Sequence, residues 1–322
     1  MAKARKSTKV SMGDLFDVIS SGRESFVGAD QEIRLLVLVD VDAPADLVCA
    51  VRDSLVAQKA TGIVDVWPLG SEPVMRVTPD AVVVVAGPVE KDVAVAIRQW
   101  AGQSVHVGVV ASSALDVPDA DLPEALSAFV SPVAACDASA LPTKLAEFLA
   151  RALGDKNVAL ASCFPFARKT VISALTQRCA VENAAVGAVS LIPGSDFPIM
   201  TCNQAKLALD IAGAYGRGVS PVRAAELAGV VGAGILYRGV ARCVAGLLPG
   251  VGWALKSGIG YAGTLATSRA VQARFDIEDC AKDKEKNEGT GVASSAQAPV
   301  AKLPVAQDEG YLVIGSDCAG CR

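Results

Sequence analysis

The chain has 322 residues, of which 52% are hydrophobic but only 5% aromatic, and a formal net charge of −4. That length suffices for two domains with real cores, and the slight acidity excludes a global basic field of the kind that binds nucleic acid. Nine cysteines, an odd number scattered through apolar stretches, fit reduced thiols rather than a disulfide framework.

Residues 1–32 open with the basic "MAKARKSTKV". No apolar signal core follows it, so a cytoplasmic location is expected. A short amphipathic helix comes next, with Asp14 as its cap and Leu15, Val18 and Ile19 as its stripe. Residues 33–153 then alternate between two periods. "IRLLVLVDV" is a strand-length apolar run, and "APADLVCAVRDSLVAQ" spaces Leu47, Val48, Val51 and Leu55 as a helix does. "GIVDVWPLG" and "PDAVVVVAGP" read as strands, "VEKDVAVAIRQWAG" as a helix, "SVHVGVVAS" and "AFVSPVAA" as strands, and "ASALPTKLAEFLARAL" as a helix. Strands apolar on both faces and alternating with helices predict a mostly parallel sheet covered on both sides.

In such a domain a phosphate loop follows the first strand and needs glycines, a Lys and a Ser or Thr. The sequence there is "VDVDAPAD", with Asp40, Asp42 and Asp46 and neither Gly nor Lys. This is a GTPase-like, Rossmann-like sheet without a phosphate loop. Asp40 and Asp42 alternate onto one face at a strand's carboxyl end, where open α/β sheets bind ligands. A metal pair or an acid and a base is one reading of them; loop solvation and helix capping around Pro44 is the other. Asp116, in "VGVVASSALD", lies near the place of a guanine-reading Asp but without its Asn and Lys, and reads as a loop or cap residue. His106, the only histidine, reads as a core or edge residue.

Residues 154–276 turn to long Ala- and Gly-rich helical stretches. "LIPGSDFPIM" at Leu191 and "LLPGVGWAL" at Leu247 repeat one pattern. Pro-Gly after helical residues is a stop signal. Helices over 178–192 and 226–248 therefore end at Pro193-Gly194 and Pro249-Gly250, and helices resume near 197 and 252. Two helical hairpins result, with Phe197 and Trp253 packing across the turns and Asp196 capping the next helix. Gln204 and Lys206 are candidates for a partner site. The longest charge-free windows of this half, 183–195 and 243–255, have thirteen residues each, short of the roughly 18 a spanning helix needs. Gly229, Gly232, Gly246, Gly250, Gly260 and Gly263 allow close helix contact, within a chain or in an oligomer. Residues 277–322 combine the charge run "KDKEKNE" with Ala, Ser, Pro and Gly and read as a disordered tail. The Cys318–Cys321 pair has no second pair to complete a zinc ribbon.

"PGSDFPIMTCNQAKLALDIAGAYG", "AAELAGVVGAGILYRGVAR" and "LLPGVGWALKSGIGYAGTLATSRA" together resemble the YcjF-type family of bacterial domains, sometimes fused to Era-like GTPases, over about residues 155–276. The resemblance implies a mostly helical, membrane-linked domain with no established activity. Its motif positions here are Pro193, Gly194, Asp196, Gln204, Lys206, Tyr215, Gly216, Pro249, Gly250 and Trp253.

The sequence thus predicts a non-catalytic protein with no cofactor or metal: a GTPase-like scaffold coupled to a helical module that binds a protein partner or the inner membrane surface. The alternatives are a nucleotide-binding regulator or NTPase with an atypical phosphate site, and an integral membrane protein.

Overall fold

In the computed structural model the described residues are 28–87, 90–189, 196–217 and 252–290. They fall into two compact units. One holds Glu32–Gly154, Cys163–Ala167 and the last helix from Asp276 onward; the other holds residues 28–31, Asp155–Ser162 and Arg168–Phe275.

The first unit is a five-stranded parallel sheet, Rossmann-like in kind. Its strands are β1 (Ile33–Val39), β2 (Gly62–Pro68), β3 (Ala81–Val85), β4 (His106–Ala111) and β5 (Val130–Ala134), in the order β2-β1-β3-β4-β5. Its main helices are α1 (Ala45–Ser54), α2 (Glu90–Ala101) and α3 (Leu141–Leu153). All five residues of β3 are buried, as expected of a central strand covered on both faces. On one face Leu36, Leu38, Val82, Val84, Val107 and Val109 pack against Val93, Ile97 and Trp100 of α2. On the other face α3 presses Phe148 onto β4. A Cβ on Gly108 would come within 2.5 Å of that ring, so only glycine fits there. Each fully buried Val or Leu contributes about 1.5–3 kcal/mol before entropy is counted.

As the sequence reading has it, the β2–β3 crossover has no helix; residues 69–80 make the connection, and Leu69 and Met75 pack onto the α2-side core. One detail departs from that reading. The sheet unit reaches past residue 153. The Gln58 N–H donates to the Cys163 carbonyl at 2.8 Å, and a Cβ on Gly62 would meet Cys163 Cβ at 3.0 Å and Phe164 Cζ at 3.2 Å.

The second unit is helical. After α4 (Asn157–Cys163) come α5 (Pro165–Val189), α6 (Asp196–Ala214) and α7 (Gly252–Thr290). The helix expected from 178 starts at Pro165 instead, because Pro suits a first helical position. The expected resumptions near 197 and 252 fall at Asp196 and Gly252. The expected helix over 226–248 and both Pro-Gly turns lie outside the described residues. α7 continues to Thr290, beyond residue 277 where composition predicts a disordered tail. Lys and Glu cannot build a core, but they have high helix propensity.

Candidate functional site

In an open parallel sheet, ligands bind outside the carboxyl ends of the strands, where the strand order reverses. Here that point lies between β1 and β3. β1 ends at Val39, and the next residue, Asp40, is only 8% exposed. Its amide donates to the Val85 carbonyl at 3.1 Å, extending the β1–β3 ladder by one rung. Its carbonyl accepts from the Ala43 N–H at 3.1 Å, and Oδ1 accepts from the Asp42 N–H at 3.0 Å. This is a side-chain-closed turn of the kind Asp favours. The carboxylate stands directly over Gly87. A Cβ there would lie 2.6 Å from Asp40 Cγ and 2.8 Å from each carboxylate oxygen.

The chemical consequence is specific. An anion site needs free backbone N–H groups and positive potential. At this crevice the Asp42 and Ala43 N–H groups are taken by Asp40, whose own negative charge fills the space. Asp42 and Asp46 are exposed beside it. Asp46 sits in the first turn of α1, where a carboxylate complements the helix dipole. Asp40 and Asp42 are thus joined by a backbone-closing bond, and among the described residues no group of three His, Cys, Asp or Glu side chains is arranged to hold a metal.

Asp116 is engaged locally. Its Oδ2 accepts from the Ser113 N–H at 2.9 Å, while Ser113 Oγ accepts from the Leu115 N–H at 3.2 Å. That reciprocal pair is a capping box. His106 opens β4, with its ring centroid 4.9 Å from that of Phe129. At the β5–α3 turn, Asp137 accepts from the Ser139 hydroxyl at 2.6 Å and from the Ser139 N–H at 3.0 Å. Those two bonds, the hydroxyl's first, hold its carboxyl below the usual range, against a smaller opposing effect of burial. One cavity of about 210 Å³ opens between α1 and the β1–β2 side of the sheet. It is lined by Val48, Val51, Leu55, Val64 and Val66, with Arg52 among its walls.

The helical unit carries the other sequence candidates. Gln204 is fully buried: its Nε2 donates to Thr264 Oγ1 at 3.3 Å, and its Oε1 has no hydrogen-bond partner among the described residues. Lys206, two residues on, is exposed, so the two do not share a surface. Asn183, also fully buried, donates to Thr264 Oγ1 at 2.9 Å and accepts from Asn203 Nδ2 at 3.0 Å. Thr264 in turn donates to the Gly260 carbonyl at 2.8 Å. The helices approach closely there, since a Cβ on Gly260 would lie 2.8 Å from the Asn183 carbonyl oxygen. About one to two turns further along the same two helices, the Thr176 and Ser268 hydroxyls meet at 2.6 Å.

Tyr215 and Gly216 end α6. Gly216 has a positive φ of 66°, its N–H donates to the Gly213 carbonyl, and the Arg217 N–H donates to that of Ala212. Those two bonds make a Schellman stop, which explains the glycine. Arg168 Nε donates to the Ala214 carbonyl at 3.1 Å, and its guanidinium lies 4.8 Å from the Tyr215 ring centroid. The buried Phe275 ring lies against Tyr215, with the ring centroids 5.1 Å apart. Asp196 opens α6 and Trp253 lies in the first turn of α7. Pro193, Gly194, Pro249, Gly250 and the Cys318–Cys321 pair lie outside the described residues. Among those residues no helix is long and apolar enough to cross a membrane.

Sequence reasoning missed Gly87, Asn183, Thr264 and Arg168. Gly87 read as turn punctuation after β3. Asn183, next to Glu182, and Thr264, near Thr267 and Ser268, stood in Ala-rich runs with no local signal to tell them from exposed polar residues.

Comparison with protein-family models, with curated proteins and with solved structures returns no match.

Proposed function

We propose that this chain is a non-catalytic scaffold: a degenerate GTPase-like sheet unit, with no working phosphate loop, coupled to a helical module of the YcjF type that binds a protein partner or the inner membrane surface. The observation that carries the reading is the Asp40 carboxylate over Gly87, which takes the Asp42 N–H and repels a phosphate, while the Asp40 carbonyl takes the Ala43 N–H. The resemblance of the helical half adds the second part. There the buried Asn183–Thr264–Gln204 network holds the helices in one register, leaving exposed residues such as Lys206 and Ile199 as the contact surface. A cytoplasmic location, at or near the membrane, belongs to the same reading.

The test is a thermal melt of the full chain with and without 1 mM Mg-GTP or Mg-ATP. A ligand with a Kd of about 10 μM would then stabilise the protein by about 2.7 kcal/mol. No shift is expected, and a shift of several degrees would favour the atypical nucleotide-binding regulator instead. Co-sedimentation with anionic liposomes separates the two partner classes: salt-sensitive pelleting supports the membrane surface, and failure to pellet supports a protein partner.

A further inference from the structure

The sheet face under α1 and α3 is packed unevenly. Paired residues of a parallel ladder share a face, so Val66, Val37, Val83 and Gly108 form one row across β2, β1, β3 and β4. At the β4 end of the row Phe148 of α3 fills the space down to the backbone, and a Cβ on Gly108 would lie 2.5 Å from its ring. At the other end, under α1, the row opens into the cavity of about 210 Å³. Protein interiors hold few voids larger than a water molecule, so this gap stands apart from the packing beside it.

The cavity is aliphatic on both sides. Val37 and Val39 of β1, Val64 and Val66 of β2 and Val85 of β3 make its floor. Val48, Val51 and Leu55, spaced along one face of α1, make its roof. Among the described residues Arg52 is the one polar side chain in its lining. A water held inside a protein needs two to four polar partners, so this space suits an apolar ligand and not water. Val66 is 41% exposed and the Arg52 side chain 37%, and these two residues mark the mouth.

The volume sets the size of the ligand. An engineered apolar cavity of about 150 Å³ binds benzene, with its six carbons, so in proportion 210 Å³ holds about eight non-hydrogen atoms. The long paired chains of a membrane lipid exceed that space. The mouth sets the head group. Arg52 Nε donates to Asp53 Oδ1 at 2.8 Å in an exposed ion pair, and a guanidinium carries five N–H donors, more than a single carboxylate uses. An alkyl chain lying among the valines brings a terminal carboxylate to that guanidinium.

We propose that the cavity between α1 and strands β1–β3 binds a free medium-chain aliphatic carboxylate of about eight carbons, with its alkyl chain among the valines and its carboxylate on Arg52. This goes beyond the scaffold reading and does not depend on it: the site lies on the sheet face under α1, whereas the Asp40 carboxylate stands over Gly87, and neither residue lines the cavity.

The test is isothermal titration of the full chain with butanoate, hexanoate, octanoate, decanoate and dodecanoate, each below its micelle concentration. Each buried CH₂ tightens binding about fourfold, so octanoate is expected to bind about 15-fold tighter than hexanoate, and the gain to stop at decanoate, where the slot is full. A gain that continues through dodecanoate overturns the proposal, because adsorption to apolar surface has no length limit. Failure of the wild type to bind any of the acids also overturns it, and leaves the slot to a protein segment. Val66→Phe, which narrows the mouth, is expected to weaken octanoate by roughly tenfold or more by displacing two or more CH₂ groups. Arg52→Gln is expected to weaken octanoate by about tenfold and to leave octan-1-ol binding unchanged. Octanoate affinity unchanged in either variant, or an equal loss of acid and alcohol in Arg52→Gln, overturns the proposal. Arg52→Gln removes only an exposed ion pair, so its result stands even where Val66→Phe fails to fold.

Discussion

Replacing Gly87 with Ala probes the crevice directly. The added methyl would sit 2.6 Å from Asp40 Cγ and 2.8 Å from both carboxylate oxygens, closer than non-bonded atoms approach. The carboxylate has little freedom to yield. Its residue is held by the Val85 carbonyl, by the Ala43 N–H and by the Oδ1 bond to Asp42. Overpacking of this kind costs about 1–3 kcal/mol, and losing a hydrogen bond to a charged group costs about 1.5–3 kcal/mol where the bond breaks outright. A loss of about 2–4 kcal/mol is therefore expected. Gly87 does not need a left-handed backbone, so Ala by itself carries no conformational penalty there. Where the space is open, Gly→Ala stabilises by about 0.4–1 kcal/mol through the unfolded state.

The decisive assay is a double-mutant cycle with Asp40→Ala, measured by urea denaturation with Trp fluorescence. The three atoms nearest the added methyl all belong to the carboxylate, and Asp40→Ala removes them. In that background G87A is expected to be neutral or slightly stabilising, giving a coupling of at least 2 kcal/mol. Equal effects of G87A in both backgrounds would refute the argument that the carboxylate and the glycine share one site.

Three further outcomes are expected. Phe164→Ala should cost about 3–5 kcal/mol although it lies outside residues 33–153, and a 1–153 fragment should melt below a 1–167 fragment in calorimetry. Asn183→Ala should cost about 1–3 kcal/mol by leaving the buried Thr264 hydroxyl and the half-buried Asn203 amide with fewer partners, read as lower helical melting by circular dichroism. Ser139→Ala should raise the Asp137 pKa toward the ordinary carboxyl value of about 3.9, as followed by carboxyl-carbon NMR. Because the folded-state pKa is depressed, the stability this pair adds is present above the unfolded-state pKa and is lost as pH falls through the folded one. The variant and wild type should therefore converge in stability at the acid end, and an unchanged Asp137 titration would remove the argument.

The sheet was legible because β1, β3 and β4 are apolar runs too short for helices, and because α1–α3 carry clear helical spacing. The missing β2–β3 helix was legible too: "GSEPVMRVTPD" holds two prolines and no apolar period. The pairing of Asp40 with Gly87 was not, because it joins residues on neighbouring strands far apart in sequence. Nor was the contribution of Cys163 and Phe164, which stand at a helix boundary and read as part of the next element. In the helical half, the resumptions at Asp196 and Gly252 followed from Pro-Gly chemistry. The extension of α7 through "KDKEKNE" did not, because the same residues that cannot bury a core make good helix. Gln204 read as a surface candidate because polarity alone does not tell an interhelical amide from an exposed one; only the partner helix, with Thr264 facing it, decides.

The central claim is that the crevice at the β1–β3 switch point is closed to phosphate by the chain's own carboxylate. Isothermal titration of the full chain with Mg-GTP, and separately with Mg-ATP, tests it most directly. The account predicts no binding tighter than about 100 μM, which corresponds to about −5.5 kcal/mol. A clear one-site isotherm in the low micromolar range would contradict it.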